Sequence, residues 1–285
     1  MNHPAELKVH QYMSDAVNGK STMSEEVIEQ VGNDVKEALR KQFGGGNKRG
    51  DFRLRMSNLG RPTCQLWFEK NKPEKASAKP NSFMMNMMLG DIVEAVFKGL
   101  LRGAGVKYEE PEHVTLEVGD TKISGTYDLV IDGAVDDVKS ASGWSYDNKF
   151  IDFYTVKMGD PFGYVAQLIG YAKAAKKKVG GWWVINKANG KFKYVSAKEG
   201  DVEDTMITIQ KTINTVKANK FERCFEDSAE TWRTKPTGNR RLGITCGFCD
   251  YKHACWENLK ELPSVMSKAK IPPMVYYTEL KDEYK

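Results

Sequence analysis

Gly125-Thr-Tyr-Asp-Leu-Val-Ile-Asp-Gly-Ala-Val-Asp-Asp-Val-Lys139 is the stretch on which the fold turns. Two runs rich in β-branched residues flank Asp132-Gly133, and an Asp-Gly pair between such runs is among the strongest short-range signals for a tight β-hairpin. The register follows. Ile131 faces Ala134, Val130 faces Val135, Leu129 faces Asp136, and Asp128 stands opposite Asp137, with Lys139 on the same face two residues on. Tyr127, Leu129, Ile131, Ala134 and Val138 make the other face, which reads as the buried side, with Asp136 its one polar intruder. Like charges directly opposed on a hairpin are destabilising. Two such carboxylates beside a lysine therefore suggest a cation site, and oxygen ligands point to magnesium or manganese. Taken alone, the pair would equally suit a solvated sheet face, so the rest of the chain has to decide.

Upstream, Ser24 followed by Glu25, Glu26 and the apolar series Val27, Ile28, Val31, Val35 predicts a helix ending near Phe43, after which Gly44-Gly-Gly-Asn-Lys breaks it. Residues 71–80, rich in lysine, proline and serine, read as a loop. A second helix is predicted over 83–101, with its apolar stripe at Leu89, Ile92, Val93, Val96, Phe97, Leu100 and Leu101 and Glu94 at the stripe's edge. His113–Val118 reads as a strand, 122–139 as the hairpin, and the segment holding Trp144 and Tyr146 as a loop. Asp160-Pro161 then starts a helix to about Lys177, with proline at its first position. Its core stripe is Val165, Leu168, Ile169 and Ala172, while Gln167 and Tyr171, four apart, share one flank. Strands at 181–186 and 192–196 and a helix at 202–217 follow.

The 285 residues carry a net charge of +5, 40% hydrophobic and 28% charged residues. That mild basic bias is compatible with a polyanionic partner. No apolar run approaches the ~20 residues of a membrane span, and the first residues lack the basic-then-apolar pattern of a secretory signal. A cytoplasmic protein with reduced thiols is the expectation, in the host cytoplasm if the gene belongs to a phage. No G-x-x-x-x-G-K-[ST] motif is present, so no helicase activity is expected.

Cys246-Gly-Phe-Cys249-Asp-Tyr-Lys-His-Ala-Cys255 sets three thiols within ten residues, and in a reduced protein a metal is the default explanation. The fourth ligand is open at this level: His253, Cys224 and Cys64 are all candidates. Trp232-Arg-Thr-Lys235 and Arg240-Arg241 read equally well as a DNA contact or as solvated loop.

The hairpin, with Asp128 on one strand and Asp137-Val-Lys139 on the next, resembles the core of the PD-(D/E)XK nuclease superfamily. Leu89-Gly90-Asp-Ile-Val-Glu94 and Gln167-Leu-Ile-Gly-Tyr171 resemble two further motifs of its RecB-like branch, with glutamate where histidine often stands. The resemblance implies an α/β fold with a restriction-endonuclease-like core, a central mixed sheet flanked by helices. It also implies a helical N-terminal extension (1–50), a nuclease core with cluster-binding segments at both ends (51–260), a cysteine-clipped C-terminal segment and a tail (261–285). Glu94, Asp128 and Asp137 would ligate Mg2+ or Mn2+, Lys139 would position or activate water, and Gln167 and Tyr171 would orient the first shell or the nucleic acid. Similarity to the iron-sulfur CRISPR-associated and AddB-type exonucleases selects Cys64 with Cys246, Cys249 and Cys255 for a [4Fe-4S] cluster, zinc being the alternative. The implied activity is metal-dependent hydrolysis of DNA, single-stranded or with ends, as an exonuclease in repair, recombination or phage DNA processing. A recombination partner or a second copy of the chain is left open. The rival expectation is a non-catalytic iron-sulfur or zinc-stapled nucleic-acid-binding protein.

Overall fold

The computed structural model describes residues 3–44, 51–198 and 202–281. In chain order it contains α1 (Pro4–Val17), α2 (Glu25–Phe43), α3 (Thr63–Asn71), α4 (Asn81–Gly103), β1 (His113–Val118), β2 (Thr121–Thr126), β3 (Leu129–Ile131), β4 (Ala134–Ala141), α5 (Gly143–Asn148), α6 (Phe153–Met158), α7 (Tyr164–Ala175), β5 (Lys178–Asn186), β6 (Phe192–Ser196), α8 (Val202–Ala218), β7 (Ser228–Trp232), β8 (Lys235–Arg241), β9 (Lys260–Pro263) and β10 (Met274–Glu279). Two compact units are present: Met1–Gly60 with Pro80–Lys211, and Arg61–Lys79 with Thr212–Lys285.

In the first unit the sheet runs β3-β4-β5-β6, antiparallel at β3–β4 and β5–β6 and parallel at β4–β5, which is the mixed α/β arrangement expected. The hairpin pairs as read, Leu129 with Asp136, Val130 with Val135 and Ile131 with Ala134. Asp132 and Gly133 both take positive φ, 51° and 74°, which suits a type I′ turn. One sheet face carries Leu129, Ile131, Val138, Trp183 and Phe192, packed with Phe97 and Leu101 of α4 and Ala5 and Val9 of α1. A side chain of this size, once buried, contributes about 1.5–3 kcal/mol. The N-terminal helix α1 therefore belongs to this core.

Several expectations need correction. The face that bears Asp128 and Asp137 is not a solvent face: Val130 and Val135, which share it, are 1% and 0% exposed. A parallel β4–β5 pair needs a crossover, and α7, which provides it, covers this side with Val165, Leu168, Ile169 and Ala172. The first hairpin arm is not continuous either. Residues 121–126 pair with β1 as a separate two-stranded sheet, and only Leu129–Ile131 joins β4. The chain bends near Gly125, where a Cβ would stand 2.9 Å from Met56 Cβ and from the Tyr171 ring.

On α4 the buried residues are Ala95, Phe97, Lys98, Gly99 and Leu101, whereas Leu89 and Val96 are exposed. The apolar stripe is rotated because α2 also packs on α4: a Cβ at Gly99 would lie 2.4 Å from Val31 Cγ2. α7 begins at Tyr164, not at Pro161. Gly163, at φ 79°, precedes the helix, and the Asp160 carboxylate accepts from the Tyr164 and Val165 N–H groups at 2.9 Å each. Trp144 and Tyr146 sit on α5, capped by Ser142, rather than in a loop. Part of 71–80 is helical, including a 3-10 turn at Pro73–Lys75. α2 ends at Phe43 as predicted, and the Gly-Gly-Asn-Lys break at 45–48 lies outside the described residues.

The second unit holds an antiparallel sheet, β7-β8-β10-β9, around Val275, Tyr277 and Leu280. It also holds α3, whose Trp67 and Phe68 pack on the rings of Phe221 and Tyr251. Among the described residues no helix is long and apolar enough to cross a membrane.

Candidate active site and thiol group

Three elements of the first unit bring the acidic and basic side chains together. β4 supplies Asp137 and Lys139, the residue before β3 supplies Asp128, and α4 supplies Glu94. Asp137 is 3% exposed, and its Oδ2 meets the Lys139 ammonium at 2.5 Å. Beyond that ion pair this buried oxygen accepts no hydrogen bond of acceptable geometry. Asp128 accepts from the Val138 N–H at 2.7 Å and is close enough to Asp137 for the two charges to act on each other. Glu94 Oε1 is held by the buried Lys98, one helical turn on, at 2.5 Å.

The electrostatics follow from burial and crowding. Loss of water and the charge of Asp137 push the Asp128 carboxyl up to about 6. Asp137 is raised by burial against the pull of Lys139, and Glu94 by burial and by Asp128. Burial alone would lower Lys139, yet Asp137 and Asp128 hold its ammonium above the ordinary lysine range. On α7, Tyr171 is 5% exposed and burial pushes its hydroxyl up to about 12, against a hydrogen bond with Gln167; Asp137 and Asp128 act on it from nearby. Of the six residues singled out from the sequence, Glu94, Asp128, Asp137 and Lys139 act on one another's charges, and Tyr171 feels Asp137, Asp128 and Lys139.

Four neighbours were missed. Tyr164 lies under the Lys139 ammonium at 5.1 Å and continues the Gln167–Tyr171 flank one turn back, a spacing the sequence does contain. Lys98 stands four residues after Glu94, also a legible spacing. Lys149 approaches the same Tyr164 ring at 4.3 Å. Asp136, 1% exposed, accepts from the Gly181 N–H at 2.8 Å, the Tyr194 hydroxyl at 2.9 Å and the Trp183 indole at 3.2 Å, and burial pushes it up to about 7 against those bonds. It anchors β4 to β5 and β6 beside Asp137.

Opposed, under-bonded carboxylate oxygens are the donors that a hard divalent cation takes. Among the described residues no three His, Cys, Asp or Glu side chains have their ligand atoms gathered around one point. The cause is local: Glu94 is drawn to Lys98 and Asp137 to Lys139. The donor chemistry fits Mg2+ or Mn2+, with the lysines as the groups an ion would displace.

The five cysteines all lie in the second unit and all are free. Cys64 sits in the first turn of α3, and Cys246 and Cys255 on the single turns Ile244–Gly247 and Lys252–Cys255. Burial, then the charges of Cys249, Cys255 and Cys224, push Cys246 up to about 11. Cys224, one of the candidates for the fourth ligand, lies against Cys64. Its sulfur accepts from the Cys64 N–H at 3.1 Å and contacts Thr63 Oγ1 at 3.3 Å, and its bonds to Cys64 and Thr63 pull it down to about 6. His253 is turned toward Glu261, 3.7 Å away. An all-sulfur, half-buried donor set fits a soft metal or a cluster in kind, although its atoms are likewise not gathered. Of the basic residues, Arg240 is committed to Asp227 at 2.9 Å, and Trp232 and Lys235 pair at the β7–β8 hairpin.

A family model for the PD-(D/E)XK nuclease superfamily matches residues 9–256. No curated protein is a significant match to the chain. Among solved structures, the crystal structure of SSO0001 is similar, with a TM-score of 0.44 and 15% sequence identity over 78% of this chain and 93% of that one. The matched segment runs from α1 to the last of the clustered cysteines and contains the whole hairpin site, and on that span the chain belongs to the PD-(D/E)XK nuclease superfamily.

Proposed function

We propose that the chain is a metal-dependent deoxyribonuclease of the RecB-like branch, acting as an exonuclease on single-stranded DNA or DNA ends. The observation that carries this reading is the cluster of Asp128, Asp137 and Lys139 across one hairpin, with Glu94 electrostatically coupled to Asp128. Asp128, Asp137 and Glu94 would hold Mg2+ or Mn2+, which would supply Lewis-acid polarisation of the scissile phosphate and lower the pKa of the attacking water. Lys139, on the same strand as Asp137, would position the attacking water or donate to a phosphate oxygen and offset the charge that builds there. Gln167, bonded to Tyr171, holds the first shell or the strand in register. No side-chain nucleophile is required.

In the second unit Cys64, Cys246, Cys249 and Cys255 would hold a [4Fe-4S] cluster, with Zn2+ as the alternative. Either would tie α3 to the C-terminal turns within that unit, and its role is structural.

The test is digestion of end-labelled single- and double-stranded DNA with Mg2+, with Mn2+ and with EDTA. Metal-dependent release of short products from an end supports the exonuclease reading. Internal fragments would make it an endonuclease, and binding without cleavage in any metal would favour the non-catalytic alternative.

A further inference from the structure

Lys139 has two partners of different kinds. One is the Asp137 carboxylate at 2.5 Å, and the other is the Tyr164 ring, whose centre lies 5.1 Å from the ammonium nitrogen. A divalent ion treats the two differently. A carboxylate oxygen that turns to Mg2+ or Mn2+ gives up its ion pair, whereas the face of a ring offers no oxygen to a hard cation and keeps its attraction for an ammonium.

The Tyr164 ring is also held fast. Tyr164 is the first residue of α7, where the Asp160 carboxylate accepts its N–H and that of Val165 at 2.9 Å each. The rings of Phe150 and Phe162 lie beside it at interplanar angles of 25° and 30°, with centres 5.9 and 5.6 Å away. The Lys149 nitrogen, closed off from water and without a hydrogen bond, stands 4.3 Å from the same ring. Packing of this kind locks a rotamer, and a locked side chain can hold a neighbour in place. Helical spacing sets Tyr164 in line with Gln167 and Tyr171 along one flank of α7.

Resting on the nuclease reading above, we propose that Tyr164 is a positioning residue for Lys139, whose ring keeps the ammonium at the reacting centre once a divalent ion has taken Asp137. Without metal the ammonium is shared between carboxylate and ring; with metal the ring is the partner that remains. The face of the ring does this and the hydroxyl takes no part, so phenylalanine should serve in its place, whereas leucine, apolar but without a π face, should not.

The experiment follows Lys139 itself by NMR in protein carrying 13C-labelled lysine. Its ε-methylene resonance is identified by its loss from Lys139→Ala, and a methylene held over a ring is shifted upfield of the other lysines. Wild type is expected to keep that shift from EDTA through saturating Mg2+, a titration that stands even if Tyr164→Leu fails to fold. Tyr164→Phe should keep the shift too, and Tyr164→Leu should lose it in Mg2+. In cleavage, Tyr164→Leu should lower kcat roughly 3- to 30-fold, the span of a cation–π contact from exposed to desolvated, with KM and Mn2+ affinity changed by less than about twofold. Tyr164→Phe should restore most of kcat. In a Lys139→Ala background Tyr164→Leu should cost nothing further in single-turnover rate, because the group that it positions is gone. A defect of folding would instead lower the rate in both backgrounds alike, so thermal midpoints are measured beside the rates. A Lys139 resonance that joins the other lysines when Mg2+ is added to wild type, or a Tyr164→Leu loss that recurs in full on top of Lys139→Ala, would overturn the proposal while wild-type cleavage upholds the nuclease reading. Wild type that cleaves no DNA in Mg2+ or Mn2+ sinks that reading and this proposal with it.

Discussion

Replacing Gly180 with alanine tests whether Asp136 is the anchor that holds the catalytic strand. The register of β4 against β5 shifts between Val135 and Asp137, and the Asp136 carboxylate reaches across to Gly181 there. A Cβ on residue 180 would stand 2.0 Å from Asp136 Oδ1 and 2.6 Å from the Val135 carbonyl oxygen. The carbonyl is backbone in the middle of a sheet, and the carboxylate is held by three hydrogen bonds, so neither yields cheaply. Overpacking costs about 1–3 kcal/mol. Displacing Oδ1 strands the Gly181 N–H and the Tyr194 hydroxyl, each at about 1–3 kcal/mol when buried and unpaired. A glycine-to-alanine change returns well under about 1 kcal/mol in chain entropy. The expected loss is about 2–9 kcal/mol, or a drop in thermal midpoint of roughly 5–35 °C for a domain of this size. Differential scanning calorimetry in EDTA measures it. In an Asp136→Ala background both donors are already stranded and the added methyl has only the Val135 carbonyl to clear, so the double variant should lose less than the sum of the singles by about 2–6 kcal/mol. A midpoint within about 2 °C of wild type for Gly180→Ala, or strict additivity in the cycle, would refute the reasoning.

Lys139→Ala should lower cleavage by about 10^3-fold or more while far-UV circular dichroism stays that of wild type, because it removes a charge from the reacting centre rather than from the core; near-wild-type turnover would remove Lys139 from the site. Gln167→Ala should cost less, roughly tenfold to a hundredfold, since an uncharged amide that bonds Tyr171 contributes orientation; a loss equal to that of Asp137→Ala would assign it a different role. Serine at Cys64, Cys246, Cys249 or Cys255 should lower the iron content and visible absorbance of anaerobically purified protein and depress its thermal midpoint, whereas Cys224→Ser should keep the metal. Loss of metal from Cys224→Ser with retention in Cys64→Ser would exchange the two in the ligand set.

What was legible in the sequence has a physical pattern. The hairpin register could be read because Asp132-Gly133 accepts two positive φ values and the flanking residues alternate, both local properties. The Gln167–Tyr171 flank follows from helical spacing, which needs no tertiary information. The exposure of the Asp128 face could not be read, because period-two alternation assumes one solvated face, and the parallel partner β5 with its crossover helix α7 removes it. Asp136 looked like an intruder because its partners lie 45 to 58 residues downstream. The nearness of Cys224 to Cys64 had no local signal, because Cys64, which donates to it, is 160 residues away. Lys149 gave no signal at all: an unpartnered lysine and a surface lysine are identical in sequence, and only the converging rings of Phe150, Phe162 and Tyr164 distinguish them.

The central claim is that Asp128 and Asp137 hold a divalent ion that hydrolyses DNA, and it is tested most directly by the Mg2+ dependence of cleavage. Initial rates on an end-labelled single strand are measured over a Mg2+ series, from EDTA upward, for wild type, Asp128→Ala and Asp137→Ala. Binding of Mn2+ is followed in parallel by its free-ion electron paramagnetic resonance signal. The account predicts no cleavage by wild type in EDTA, saturable activation by Mg2+, and a loss of about 10^3-fold or more in both variants together with loss of the Mn2+ site. Cleavage by wild type in EDTA, or variants that cleave and bind Mn2+ like wild type, would contradict it.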